Sequence, residues 1–158
     1  MVNEKLGENK KSLLSRGMIA RKSILIHASP SQVWNALTNP AIIKQYLFGT
    51  DVSSDWKVGS TITYRGTWQG KSYEDKGKIV KFIPGKLLQS TFLSSMSGLE
   101  DKEENYALVT YELEPRGEDT QLTVTQDNND DEASREHSEK NWGMVLETMK
   151  KLLENDKS

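Results

Sequence analysis

The chain has no cysteine among its 158 residues. Disulfides, thiolate nucleophiles and Cys-based zinc sites are excluded with it, and the absence fits a reducing compartment. Histidine is nearly as scarce, with only His27 and His137. A Ser-His-Asp arrangement would have to use one of these two, and no Gly-x-Ser-x-Gly elbow accompanies either, so nucleophilic catalysis has little footing. No apolar run approaches the roughly 20 residues of a transmembrane helix. Excess charge is missing too: 21 basic against 23 acidic side chains leave a net −2, which gives neither nucleic acid nor an anionic membrane an electrostatic reason to bind. Residues 1–17 are charged and lack a continuous apolar stretch, so they do not read as a secretory signal. They read as a flexible N-terminal extension with one helical turn near Leu13 and Leu14. A cytoplasmic protein without membrane insertion is expected.

Metal and phosphate motifs are absent as well. Asp127-Asn128-Asn129-Asp130-Asp131 has the alternating Asp/Asn of a calcium loop. Glu132 stands where that loop requires glycine, and Ser138 where it requires a bidentate Glu. The stretch is expected to form a turn that favours the following helix through its dipole. No Gly-rich phosphate loop, no metal-type His spacing and no basic-aromatic surface is present. No metal or cofactor is expected.

What the chain does have is punctuation and periodicity. Residues 18–155 are long enough for a single domain with a real core. Ile19–His27 reads as a first strand. Ser29, Pro30 and Gln32 form a Ser-x-x-Gln capping box with proline at the first helical position, and Val33, Trp34 and Leu37 share a face of that helix. Asn39-Pro40 starts a second short helix by the same logic, with Ile42, Ile43, Tyr46 and Leu47 on its apolar side. From Gly59 the period changes to 2. In Ser60–Trp68, Ile62, Tyr64 and Trp68 define one buried face. Lys71–Ile83, Lys86–Ser94, Asn105–Glu114 and a last strand with Leu122 and Val124 inward follow, joined by turns such as Pro84-Gly85. The long helix from about Ser134 to Glu154 carries Trp142, Val145, Leu146, Met149, Leu152 and Leu153 on one face, and spans roughly 30 Å. The expected order is one strand, two helices, five strands and a long helix. Strands segregated from helices argue an α+β fold, an antiparallel sheet covered on one face.

Several segments carry a resemblance to a known family. Ala28-Ser29-Pro30-Ser31-Gln32-Val33-Trp34-Asn35-Ala36-Leu37-Thr38-Asn39-Pro40 comes first, followed by Trp56-Lys57-Val58-Gly59, then Gly77-Lys78-Ile79-Val80-Lys81-Phe82-Ile83-Pro84. Val109-Thr110-Tyr111-Glu112-Leu113-Glu114-Pro115, Thr120-Gln121-Leu122-Thr123-Val124-Thr125 and Asn141-Trp142-Gly143-Met144-Val145-Leu146 complete the set. In this order, over about residues 19–154, they resemble proteins similar to the activator of heat-shock protein 90 ATPase, within the START/Bet v 1-like (SRPBCC) superfamily. The resemblance implies a helix-grip fold: a curved antiparallel sheet wrapped around the C-terminal helix, often with an apolar cavity between them. It implies no single chemistry.

On that fold, Trp34, Tyr46, Phe48, Ile62, Tyr64, Trp68, Trp142, Val145, Leu146 and Met149 are candidates to line a cavity, against the simpler alternative that they fill a core. Ser134, Arg135 and Ser138, at the polar start of the helix, are candidates for its mouth, where Arg135 would meet an anionic head group; a solvated first turn is the plainer reading. No pair of carboxylates is marked for hydrolysis. Glu74 and Asp75 interrupt a strand, where one would serve as a buried base or both would guard a sheet edge. The leading expectation is non-enzymatic binding of a small hydrophobic, lipid-like or aromatic molecule, as carrier or sensor in a stress-related role. The alternatives are a protein-interaction module acting on a chaperone ATPase and a cyclase- or dehydratase-type enzyme.

Overall fold

The structure, a computed structural model, describes residues 17–155. The helical turn expected near Leu13 and Leu14 lies outside them. Strand β1 (Met18–Ile26) leads into helices α1 (Pro30–Thr38) and α2 (Pro40–Tyr46). Strands β2 (Asp51–Ser54), β3 (Thr61–Trp68), β4 (Lys71–Ile83), β5 (Leu87–Phe92), β6 (Ala107–Arg116) and β7 (Asp119–Asn129) follow, and helix α3 (Glu132–Asn155) ends the described chain. The seven strands form one sheet in the order β1-β7-β6-β5-β4-β3-β2, and every neighbouring pair is antiparallel. This is the curved-sheet, helix-grip architecture that the sequence led us to expect.

Local chemistry explains the starts and stops. The Gln32 N–H donates to Ser29 Oγ over 3.2 Å, and the Ser29 N–H donates back to Gln32 Oε1 over 2.9 Å, a complete capping box. Asn39 closes α1 and opens α2, its Oδ1 accepting the Ala41 N–H at 3.0 Å. Such a cap typically contributes about 1 kcal/mol. Helix α3 starts two residues earlier than expected because Asp131 accepts the Ser134 N–H at 2.8 Å. That bond also holds the Asp131 carboxyl below its usual range.

The sheet bends at Gly77. The Thr91 backbone crosses so close that a Cβ there would overlap the Thr91 carbonyl. The Lys78 N–H turns to Thr91 Oγ1 at 2.9 Å, and pairing with β5 shifts register between Ile79 and Lys81. A bulge of this kind increases local twist and curls the sheet.

Helix α3 lies across β1 and β7 and touches α1 and α2. Its stripe behaves as the spacing predicts: Val145, Leu146, Met149 and Leu153 are buried, packed with Ile26, Val33, Ile79, Leu122 and Val124. Each such side chain stabilises the fold by roughly 1.5–3 kcal/mol on burial. The helix also covers the open edge of β1. The Arg21 N–H donates to Glu139 Oε2 at 3.1 Å, the His27 N–H to Glu154 Oε2 at 2.9 Å, and Lys150 Nζ donates to the Leu25 carbonyl at 2.7 Å. Unpaired strand edges invite association with other strands; here side chains from the helix take up three of the edge's backbone groups.

Three local expectations need correction. Strand β2 was not anticipated, because Asp51-Val52-Ser53-Ser54 offers a single apolar residue; it forms by pairing with β3. The polar stretch from Asp127 is not all turn. β7 runs on to Asn129, with Asp127 accepting the Leu108 N–H at 2.6 Å and Asn129 donating to the Met18 carbonyl at 2.9 Å. Glu74 and Asp75 do not interrupt β4, which passes straight through them in register with Arg65 and Tyr64.

Candidate functional site

The apolar stripe of α3 ends at Trp142. One turn earlier stands Ser138, whose Oγ donates to Asn129 Oδ1 at 2.7 Å. Below Trp142 the helix fills the space against the sheet; beyond it, toward the helix start, no bulky apolar side chain follows, while the sheet still presents aromatic residues. The result is a cavity of about 370 Å³, inside the range of roughly 300–1,000 Å³ usual for small-molecule sites. Its walls are Tyr64 of β3, Phe92 of β5, Val109 and Tyr111 of β6, Gln126 of β7 and Trp142 of α3. Leu47, Phe48 and Thr50 from the α2–β2 connection, Trp68 and Tyr73 from the β3–β4 hairpin, and Ser94 and Met96 also line it.

The aromatic walls pack edge to face, Tyr64 on Phe92 with centroids 5.5 Å apart and Tyr111 on Trp142 at 5.7 Å. Phe48, Trp68 and Met96 remain exposed, Phe48 by 70%, and give the opening an apolar rim. Phe48 holds a backbone φ of 53°, a left-handed conformation uncommon for a bulky residue. The rim is latched by the hydroxyls of Thr50 and Tyr73, 2.6 Å apart.

The polar groups are few. Tyr46 lies behind the wall, and its hydroxyl donates to the Ala36 carbonyl at 2.9 Å. Burial raises its pKa far above the usual phenol value. Burial likewise pushes Tyr64 up to about 12; the Ser90 hydroxyl opposes the rise and the Asp75 charge adds to it. Tyr111 is raised by burial first and by its phenol neighbours Tyr46 and Tyr64 second. All three are therefore neutral donors at physiological pH. Among the described residues Asp75 is the one side chain of formal charge that lines the cavity; its Oδ1 accepts both the Ser95 N–H at 2.8 Å and the Ser95 hydroxyl at 3.0 Å.

The structure distributes the sequence candidates unevenly. Phe48, Tyr64, Trp68 and Trp142 line the cavity. Trp68, expected on a buried face, is 59% exposed at the rim because the hairpin extends beyond the helix. Tyr46, Ile62, Val145, Leu146 and Met149 are packed in the core, and Trp34 sits edge-on to Phe82 at 5.2 Å. The cavity does not open at Ser134, Arg135 and Ser138. Ser134 and Ser138 line a separate polar depression with Asn128, Asn129 and His137, and Arg135 is held between Glu132 and Glu139, leaving it poorly placed to take a head group. Val109, Tyr111 and Gln126 are wall residues the sequence reading did not single out. Gln126 had a signal: it follows Leu122 and Val124 at period 2, a polar residue on an inward-facing row.

Among the described residues no group of three or more His, Asp or Glu side chains is placed to hold a metal, and no helix is long and apolar enough to cross a membrane.

Comparison with known proteins agrees with this architecture. The family model for activator of Hsp90 ATPase homolog 1-like protein matches residues 27–154. The solution structure of ChR145 from Cytophaga hutchinsonii is similar over 88% of this chain and 95% of its own, at 47% identity and a TM-score of 0.79. The Aha1 dimer from Colwellia psychrerythraea is similar at 25% identity and a TM-score of 0.68, over 86% of this chain and 96% of that one. DynU16, a protein of the dynemicin biosynthetic locus, shares the fold at 18% identity and a TM-score of 0.71, with 86% of this chain matching 47% of its length. No curated protein matches.

Proposed function

The chain belongs to the family of activator of Hsp90 ATPase homolog 1-like proteins, and on that premise we propose that it binds a small hydrophobic molecule between its sheet and its C-terminal helix, without chemical conversion, as a carrier or sensor. The observation that carries the reading is the aromatic-walled cavity of about 370 Å³ above Trp142. An apolar pocket with a few convergent polar groups is the usual form of a small-molecule site. Its apolar rim of Phe48, Trp68 and Met96 gives such a molecule a path in.

Thermal-shift assays across a panel of aromatic and lipid-like compounds, with native mass spectra of the protein as purified, test this. Stabilisation by some members of the panel, lost when Val109→Trp fills the cavity, is expected. A flat panel and bare mass spectra contradict the reading.

A second reading is an interaction module acting on a chaperone ATPase. It is favoured by the family's name and by the exposed rim residues, which would also suit a protein partner. Capture of Hsp90 by this chain, with a changed ATPase rate that Phe48→Ser/Trp68→Ser abolishes, would support it; an unchanged rate would remove it. The cyclase- or dehydratase-type alternative would have to use Asp75 or the phenols of Tyr64 and Tyr111. It fails if their conservative replacement leaves any turnover detected unaltered.

A further inference from the structure

The polar groups inside the cavity are not an arbitrary set. The indole N–H of Trp142 can only donate, and it lies 2.8 Å from Gln126 Oε1. That contact fixes the orientation of the Gln126 carboxamide and commits its oxygen to the helix. The amide NH₂ is left over, in a side chain that lines the cavity, and it has no acceptor among the described residues. Tyr111 is in the same position. Its ring rests edge-on against Trp142, it lines the cavity, and its hydroxyl has no hydrogen-bond partner among the described residues. Donors without acceptors are costly wherever water is kept from them. Two of them, on half-buried side chains, flank Trp142, one on β6 and one on β7, and both side chains line the same cavity.

The charges point the same way. Among the described residues no Lys, Arg or His lines the cavity, and the one charged side chain that does, Asp75, is acidic. A buried carboxylate or phosphate would therefore meet no cation and one like charge, so the cost of stripping its water would go uncompensated. A neutral carbonyl oxygen loses far less on leaving water, and its two lone pairs match two donors.

We propose that the cavity selects an uncharged hydrophobic molecule bearing a carbonyl-type oxygen, which accepts hydrogen bonds from Tyr111 and Gln126 beside Trp142, and that it rejects anionic amphiphiles of similar shape. This rests on the ligand-binding reading above and narrows it to a chemical class. It also turns Trp142 from a wall residue into a positioning residue, acting on the ligand through the Gln126 amide.

Three compounds of one shape test it: fluorene, which has no acceptor; 9-fluorenone, which adds the carbonyl; and 9-fluorenone-4-carboxylate, which adds a negative charge. Calorimetric titration into the full chain is expected to give 9-fluorenone the highest affinity, about five-fold or more above fluorene for the added hydrogen bonds, with the carboxylate weakest. Tyr111→Phe should lower the affinity for 9-fluorenone more than that for fluorene, and so shrink the fluorenone-to-fluorene ratio. Gln126→Glu keeps an acceptor for Trp142 and removes the amide donor, and should shrink the ratio as well. Val109→Trp, which fills the cavity, separates the two levels of the claim. If it abolishes binding of fluorene and 9-fluorenone but wild-type protein binds them equally, or binds the carboxylate best, the cavity is a ligand site and the selectivity proposed here is wrong. If binding survives Val109→Trp, or none of the three binds wild-type protein, the ligand-binding reading falls and this inference with it.

Discussion

Trp142 and Gln126 meet across the helix–sheet boundary, the indole N–H donating to the carboxamide oxygen over 2.8 Å. The contact joins α3 to β7 where the apolar core gives way to the cavity. Trp142→Phe removes the donor and leaves the Gln126 oxygen without its partner. It also takes away part of the ring that packs on Tyr111. Together these should destabilise the protein by about 2 kcal/mol, measured by urea denaturation. Trp142→Phe should also free the amide to rotate, so discrimination between carbonyl-bearing and plain hydrocarbon ligands should weaken more than affinity for the hydrocarbon.

The buried phenols give stability a signature at alkaline pH. In the unfolded chain a tyrosine ionises near its ordinary value of 10.0, whereas Tyr64 in the folded protein is pushed up to about 12, and Tyr46 and Tyr111 are raised too. The folded state then holds protons that the unfolded state releases. Stability contributed by these groups is fully present below pH 10 and is lost as pH rises toward the folded values. Each phenol should remove about 1.4 kcal/mol by one pH unit above its unfolded value. Denaturation at pH 9 and pH 11, compared between wild type and Tyr46→Phe, checks this: the variant should show the smaller loss.

Two glycines should respond with opposite sign. At Gly77 a methyl group would run into the Thr91 backbone, which cannot move without breaking the bend of the sheet. Gly77→Ala is expected to cost about 1–3 kcal/mol. Gly143 lies inside α3, where an added Cβ would meet only the flexible end of Lys22 at 3.7 Å. Gly143→Ala should stabilise by about 0.5–1 kcal/mol through helix propensity. Melting curves of the two variants give both signs at once.

The cover over the β1 edge should be sensitive to acid. Glu139 is held below the usual carboxylate range first by the Arg21 N–H, and Glu154 first by Lys150 and then by the His27 N–H. Their contribution is present above the ordinary Glu value of 4.5 and is lost as pH falls below it. Hydrogen exchange should show the Arg21 and His27 amides losing protection in Glu139→Ala and Glu154→Ala respectively, and in wild type on acidification, while β6 amides stay protected. Equal loss across the sheet would mean that the edge contacts are not separable from global stability.

Much of this architecture was legible in the sequence because its signals are local. The caps at Ser29 and Asn39, the switch to period 2 after Gly59 and the Trp142 stripe depend on neighbours a few residues away. Strand β2 escaped because four residues with only Val52 apolar carry no period, and partner strand β3 supplies the order instead. The site was harder. Periodicity says which face of α3 turns inward, but not where the sheet ceases to be filled, so the mouth was placed at the polar start of the helix. Ser134, Arg135 and Ser138 in fact bond to their own helix and to β7. Gln126 and Tyr111 were hidden for the complementary reason. Read along a strand, each is one more inward position, and only their closeness to Trp142 in space makes them wall.

The central claim is that the space above Trp142 holds a ligand, and the four tryptophans make it testable in one spectrum. In a ¹H–¹⁵N correlation experiment with 9-fluorenone added, the Trp142 indole N–H, which lies at the cavity wall on Gln126, should shift strongly, and that of Trp68 at the rim should shift too. Trp34, packed on Phe82 away from the cavity, should stay in place. An unmoved Trp142 signal, or shifts confined to Trp34 and Trp56, would contradict the account.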